Sequence, residues 1–366
     1  MIGENGAAVY IESGSPMLLQ ENVPLAPLTT FRLGGPARFF VEAKSVEQVQ
    51  QAVAFARSKN LPLFILGGGS NLLVADRGWP GLVLKVSISG IDRRSGDIDG
   101  KAVFGVGAGE SWDRVVSQAV FAQCAGVECL SGIPGSVGGT PVQNVGAYGQ
   151  EVSETIESVE VLDLRDVQVR ELCREACGFA YRSSIFNTTE RGRFVILSVA
   201  YALRPGGKPH IAYADLKRYF EGRESQPTLA ETREAIRDIR ARKGMLIVAG
   251  DPDSLSAGSF FKNPVVSPEQ HEGLSKRATT QGLTLPSYPA LEKSKKISAA
   301  WLVEHSGFAR GYGIGRVGIS TKHALAIVNR GGASAAEVLA LKDQIQQRVA
   351  EIWAIHLEPE PVMVGF

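Results

Sequence analysis

Two short stretches of this sequence are so rich in glycine that they dictate what can lie against them. The first is Leu66-Gly67-Gly68-Gly69-Ser70-Asn71-Leu72-Leu73. The second runs Ser131-Gly132-Ile133-Pro134-Gly135-Ser136-Val137-Gly138-Gly139-Thr140-Pro141 and continues Val142-Gln143-Asn144-Val145-Gly146-Ala147-Tyr148-Gly149. Glycine permits positive φ and carries no β-carbon, so several backbone N–H groups can converge on one anion. A diphosphate asks for that combination of many donors, close approach and little bulk. Ser70, Asn71, Ser136 and Thr140 add side-chain donors beside them. One Gly-Gly pair would read as a tight turn against neighbouring backbone. Two loops of this density, in a chain with 41 glycines among 366 residues, point instead to a nucleotide or dinucleotide ligand. The common cradles do not fit. Leu72 stands where G-x-G-x-x-G needs its third glycine, and no G-x-x-x-x-G-K-[ST] occurs. There is no H-E-x-x-H, and the five histidines are scattered, so no metal is expected. Residue chemistry alone leaves a phosphorylated cofactor in a glycine cradle of another kind.

The rest of the chain reads as ordinary globular protein of two or three domains. Thirty-nine Lys and Arg oppose 38 Asp and Glu, which removes the simplest case for a nucleic-acid or anionic-membrane partner. No window is long and apolar enough to span a membrane, and the first twenty residues lack a targeting pattern. The four cysteines (Cys124, Cys129, Cys173, Cys177) have spacings poor for zinc and read as small apolar filler in a reducing, cytoplasmic setting. Residues 1 to about 22 read as an extension. Phe39–Ala43 reads as a strand, followed by a helix from Ser45 with Gln48 at capping-box spacing and a stripe of Val46, Val49, Val53 and Ala56. Leu63–Leu66 is a short strand that runs into the first glycine loop. Short strands dominate from about 82 to 204, interrupted by a helix over 111–123. Residues 204–209 look like a linker, and 213–242 are helix-rich with Ile236 and Ile239 inward. A last helix starts at Ser334, with Glu337 completing a capping box, and buries Val338, Leu341, Ile345, Val349 and Ile352. The class is α+β.

The two loops, together with Tyr181-Arg182-Ser183-Ser184-Ile185-Phe186, Ala257-Gly258-Ser259-Phe260-Phe261-Lys262-Asn263-Pro264, Ala300-Trp301-Leu302-Val303-Glu304 and Leu357-Glu358-Pro359-Glu360, resemble the UDP-N-acetylenolpyruvoylglucosamine reductase family in the same order, over roughly residues 24 to 362. The resemblance implies noncovalent FAD in a two-part binding fold of the vanillyl-alcohol-oxidase (PCMH) type, plus a C-terminal α+β substrate-binding domain. It implies a division into an extension at 1–22, FAD-binding subdomains at 23–86 and 87–205, a UDP-sugar domain at 206–355 and a C-terminal segment at 356–366. It also implies NADPH as reductant, a UDP-sugar substrate, no nucleic-acid or membrane partner, and a cytoplasmic monomer that serves peptidoglycan precursor synthesis and cell-wall biogenesis. Ile211-Ala212-Tyr213-Ala214-Asp215-Leu216 looks like the tyrosine-bearing substrate loop of one branch of the family.

Site residues follow from the same resemblance. Ser259 matches the proton donor, Arg182 the arginine that supports an enolate and its carboxylate, and Glu360 the family's acid. Gly67, Gly68, Gly69, Ser70, Asn71, Leu72, Ile133, Gly135, Ser136, Gly138, Gly139, Asn144, Gly146 and Ala147 fall on cofactor-binding positions. Tyr148, Tyr181, Tyr213, Lys243, Asn263 and His323 fall on substrate-binding ones. Three residues depart from the usual pattern. His323 and His305 stand where glutamine is frequent, and Pro361 stands where valine is usual. A histidine at 323 makes a hydrogen bond there pH-sensitive, His305 is expected to be structural, and Pro361 removes a backbone donor.

Overall fold

The computed structural model describes residues 6–9, 17–290 and 293–366. Parts of the expected N-terminal extension, residues 1–5 and 10–16, lie outside the described residues. The chain divides into two compact units: unit 1 is Met1–Val23, Pro36–Gly69 and Trp79–Ala241, and unit 2 is Pro24–Gly35, Ser70–Gly78 and Arg242–Phe366.

Unit 1 starts from a strand–helix–strand element. Pro36–Ala43 and Leu63–Leu66 run parallel to Trp79–Val86, which lies between them. That central strand buries Leu82, Val83 and Leu84 completely, as a strand covered on both faces must. Helix Val46–Ser58 links the outer two and buries Val49, Ala52, Val53 and Ala56. Val46 is only half-buried, and Ala52 takes its place in the stripe. Ser45 caps this helix by accepting the Gln48 N–H, but the Gln48 side chain accepts from Lys44 rather than Ser45, so only half of the expected capping box forms. Met17–Pro24 joins the same sheet with Met17 and Leu19 buried and Leu18 exposed. The end of the expected extension is therefore a strand whose burial alternates over its first three residues.

A second sheet in unit 1 orders Gln168–Cys173, Ile156–Asp163, Phe194–Pro205, Lys101–Gly107 and Ile91–Ile98, all antiparallel. Helix Trp112–Phe121 packs Trp112 into its core, where the indole donates to the Leu130 carbonyl at 3.1 Å. Three cysteines are buried as expected, but Cys173 is exposed, because it ends an outer strand of this sheet. Residues 206–241, grouped by sequence with 242–355, pack in unit 1. Helix Leu229–Arg242 buries Ala235, Ile236 and Ile239 against Cys129 and Leu216, and Arg233 grips Asp113 with two hydrogen bonds of 2.7 and 2.8 Å.

Unit 2 has its own core, built around Phe31, Leu73, Phe260, Phe261, Leu302, Ile345 and Trp353. Its helices include Pro268–Thr280, Ala299–Glu304 and Ala335–Trp353. Ser334 and Glu337 form the expected capping box on the last of these. Its buried stripe ends on Trp353 rather than Ile352, which is half-buried; from Val349 the next inward position is four residues on. Strand Val362–Val364 pairs in parallel with Leu72–Val74. No helix among the described residues is long and apolar enough to cross a membrane.

Candidate active site

In unit 1 the two glycine loops clasp each other. A β-carbon on Gly68 would lie 2.5 Å from the Gly135 Cα, and one on Gly67 would lie 2.8 Å from the Ser136 hydroxyl. Larger residues at 67 and 68 would drive the loops apart. Main-chain donors then divide into two sets. The amides of Val137, Gly138, Gly139 and Thr140 are consumed inward, by the carbonyls of Glu110, Ala108, Ser136 and Val137. Among the described residues, no protein acceptor takes the amides of Gly67, Gly68, Gly69, Gly135 or Ser136. The nest is therefore narrower than the sequence suggests. Thr140 is not part of it, because its hydroxyl bonds the Val137 carbonyl and the buried Tyr201 hydroxyl.

Two observations fit a ligand in this cradle. The Ser136 hydroxyl is buried and meets no partner among the described residues, a condition that costs stability unless something else satisfies it. Gly139 is exposed with φ outside the left-handed range, and a β-carbon there would meet nothing within 4 Å. Nothing in the folded chain requires glycine at 139, and the open space beside it would suit a group needing close backbone approach. Ile133 and Gly146 are half-buried beside these loops. Asn144 is fully engaged inside the protein. Its side-chain amide donates to Glu151 and to the Ala180 carbonyl, and its oxygen accepts the Ser153 N–H.

That Asn144 bond fixes the turn that presents Arg182. Ala180 and Ser183 exchange two backbone hydrogen bonds, leaving Tyr181 and Arg182 as the turn's central pair. Arg182 has φ +54°, a left-handed conformation that costs a non-glycine residue about 1 kcal/mol and collects at functional sites. Its guanidinium donates to the Gly146 carbonyl at 2.7 Å and lies over the Tyr181 ring at 5.3 Å. Gly146-Ala147 and Gln150-Glu151 form a hairpin whose two-residue turn is Tyr148-Gly149, with φ +50° and +87°. Positive φ at both positions marks the type I′ turn that suits strand twist. The Tyr148 ring meets Tyr213 edge-on, with centroids 5.4 Å apart. Unit 1 thus gathers Arg182, Tyr181, Tyr148 and Tyr213 around one hairpin.

Arg240 carries no mark in the sequence that sets it apart from the other arginines of its helix. It is buried, and its Nε donates to the Gly132 carbonyl at 3.2 Å while Asp113 accepts the Gly132 N–H at 2.6 Å. Burial pushes its guanidinium below the ordinary value, opposed by Tyr148 and Asp113. Burial works against ionisation of Asp113 too, but the Arg233 hydrogen bond, the Gly132 N–H and the charges of Arg233 and Arg237 hold its carboxyl below the usual range. Gly132 is thereby held at both its N–H and its C=O, which orients the second glycine loop.

In unit 2, Ser259 and Glu360 are brought together by backbone. Phe260 accepts the Glu360 N–H at 2.9 Å, Lys262 donates to the Glu358 carbonyl at 2.9 Å, and Phe261 bridges Pro359. Ser259 therefore precedes, by one residue, the partner of Glu360. Asn71 donates to the Glu360 carbonyl at 3.2 Å and accepts the Val362 N–H at 2.9 Å, while Leu72 pairs with Val362. Ser70 accepts from Thr30 through its carbonyl. Pro361 falls between two donors that are both used, so its missing N–H interrupts neither bond. The Asn263 side-chain oxygen accepts the Ala299 N–H at the start of a helix. Lys243 is half-buried just beyond helix Leu229–Arg242. His305 stacks on Trp301 at 4.2 Å and its Nδ1 bonds the Trp301 carbonyl, a packing role.

His323 is tied to the same ladder. Its Nδ1 accepts the Leu325 N–H at 3.1 Å, and the Leu325 carbonyl accepts the Phe260 N–H at 2.7 Å. Protonating Nδ1 would set a donor against a donor one step from Ser259. With His323→Gln, the substrate-dependent rate should match wild type within about twofold at pH 8 and fall less than the wild type's as the pH is lowered. Parallel acid limbs in the two pH profiles would rule out this role.

Comparison with known proteins bears on both units. Residues 37–172 match the model of an FAD binding domain, and residues 251–364 match the C-terminal domain of UDP-N-acetylenolpyruvoylglucosamine reductase. The fold and these matches define an FAD-dependent oxidoreductase. The reductase of that name from Thermobifida fusca is 45% identical over 350 residues, covering 94% of this chain and 97% of its own. The Saccharopolyspora erythraea reductase is 43% identical over 347 residues, covering 93% and 94%. The crystal structure of the Thermus caldophilus reductase superposes with a TM-score of 0.65 at 27% identity, covering 95% of this chain and 99% of that one. The chain belongs to the UDP-N-acetylenolpyruvoylglucosamine reductase family.

Proposed function

We propose that this protein uses NADPH to reduce the enolpyruvyl ether of UDP-N-acetylglucosamine to the lactyl ether of UDP-N-acetylmuramate, a step in making peptidoglycan precursors. The observation that carries this reading is the match, along nearly the whole chain, to reductases of that name. When bound, FAD would supply two-electron hydride chemistry, linking oxidation of NADPH to hydride addition at the terminal enolpyruvyl carbon. Negative charge then develops at the carbon bearing the substrate carboxylate, and this enolate needs support and a proton. Preorganised donors and cations aimed at such charge are usually the largest catalytic term.

Ser259 donates the proton to that carbon. A serine hydroxyl is a weak acid, so it works here only because the enolate is strongly basic. The Arg182 guanidinium, held in a strained turn, presents a planar fork suited to the carboxylate. Glu360 orients the intermediate and, with Arg182, supports the enolate. The amides of Gly67 to Gly69, Gly135 and Ser136, with the Ser136 hydroxyl, would hold the cofactor's diphosphate. Tyr148, Tyr181, Tyr213, Lys243, Asn263 and His323 receive the sugar nucleotide.

Two measurements on the purified holoenzyme test this reading. NADPH should be oxidised one for one with authentic enolpyruvyl substrate, and denaturation should release all yellow colour as free FAD. Colour that stays on the denatured chain would favour an oxidase with tethered flavin. No substrate-dependent NADPH oxidation would reduce the protein to a binder of UDP-sugar or flavin.

A further inference from the structure

We propose that Glu128 is a positioning residue whose buried carboxylate ties the Tyr148 hairpin to the loop carrying Tyr213, and so sets the aromatic pair that receives the sugar nucleotide. Glu128 opens the short helix Glu128–Leu130 and is 1% exposed. Both of its oxygens face N–H donors. Oε2 accepts from Gly126 at 2.7 Å, and Oε1 accepts from the His210 backbone at 2.9 Å and from the Gln150 side chain at 2.8 Å. Gln150 returns a bond, its oxygen accepting the Cys129 N–H at 2.8 Å. The Cys129 thiol donates to the His210 carbonyl at 3.2 Å. His210 is thus held at both its N–H and its C=O by two consecutive residues.

The two tethered segments end in tyrosines. Gln150 directly follows the Tyr148-Gly149 turn, and His210 precedes Tyr213 by three residues. Their tips meet in the edge-on Tyr148–Tyr213 pair. The turn also touches the loop directly, since a β-carbon on Gly149 would stand 3.2 Å from the His210 imidazole. His210 and Tyr213 are exposed and Ile211 between them packs on the Cys129 cluster; the polar anchor of the stretch is the carboxylate beneath it. Only a carboxylate serves. Glutamine has one acceptor where two are faced by donors, so an amide N–H would oppose either Gly126 or the His210–Gln150 pair.

The inference rests on the proposed reaction only in taking these tyrosines as contacts of the sugar nucleotide. The test compares wild type with Glu128→Gln, each as FAD-loaded full chain. In Glu128→Gln, KM for the enolpyruvyl substrate should rise about tenfold or more with a smaller fall in kcat, flavin reduction by NADPH should stay within about twofold, and amide exchange across residues 206–213 should quicken about tenfold. Unchanged KM and exchange would overturn the proposal, as would an equal fall in both half-reactions, which signals general damage. Wild type alone gives a second reading if the variant does not fold: fast exchange of the His210 amide in wild type, despite its bond to Glu128, would also overturn the anchor. Should wild type not turn over the enolpyruvyl substrate at all, the proposed reaction fails while the exchange data still decide the anchor.

Discussion

Replacing Ser259 with alanine should leave flavin reduction by NADPH within about twofold of wild type while slowing the substrate half-reaction by about 10²- to 10⁴-fold, the usual worth of a positioned proton donor. The split follows from where Ser259 sits. Its neighbour Phe260 is fixed by two backbone bonds, from its own N–H to Leu325 and from Glu360 to its carbonyl. Neither bond involves the serine side chain, so the ladder that carries Glu360 survives the substitution. The change removes one hydroxyl and little else. Rapid-mixing measurement of each half-reaction separately checks this result, and equal losses in both would remove Ser259 from the role.

The second large effect is expected at Gly139. A valine there has room in the folded chain, since a β-carbon at 139 meets nothing within 4 Å. It does not have room beside a cofactor that needs close backbone approach. FAD affinity should fall about ten- to a hundredfold, from the roughly 1–3 kcal/mol that overfilling a packed site costs. The melting temperature of the apoprotein should hardly move. The two readouts are flavin absorbance per chain after purification and thermal unfolding of the flavin-free protein. Full flavin retention in Gly139→Val would place the cofactor away from this loop. Gly68→Val would be a poorer probe, because its side chain would strike Gly135 and damage the loop pair itself.

How much of this could be read before the structure depends on how far apart the interacting groups lie in sequence. Helix ends were legible because a cap is a local event, as Ser334 with Glu337 shows. The glycine loops were legible as places of close backbone approach because backbone freedom is written in the residue type. Which of their amides stay open was not, because those of Val137 and Gly138 are claimed by Glu110 and Ala108, some thirty residues away. Asn144 looked like a cofactor contact, yet its side chain is engaged by Ala180, Glu151 and Ser153. The strand at Met17–Pro24 went unread because only two buried residues mark its period. Glu128 and Arg240 carry no local signal at all. Their meaning appears only when His210 and Gly132, 82 and 108 residues away, are brought against them.

The most direct test of the whole account is an anaerobic double-mixing experiment on one preparation. The FAD-loaded protein is bleached with one equivalent of NADPH, then mixed with UDP-N-acetylglucosamine enolpyruvate. The account predicts that flavin absorbance returns at least as fast as steady-state turnover, with one lactyl ether formed per flavin. A bleached protein that regains its colour with oxygen but not with the enolpyruvyl substrate would contradict it.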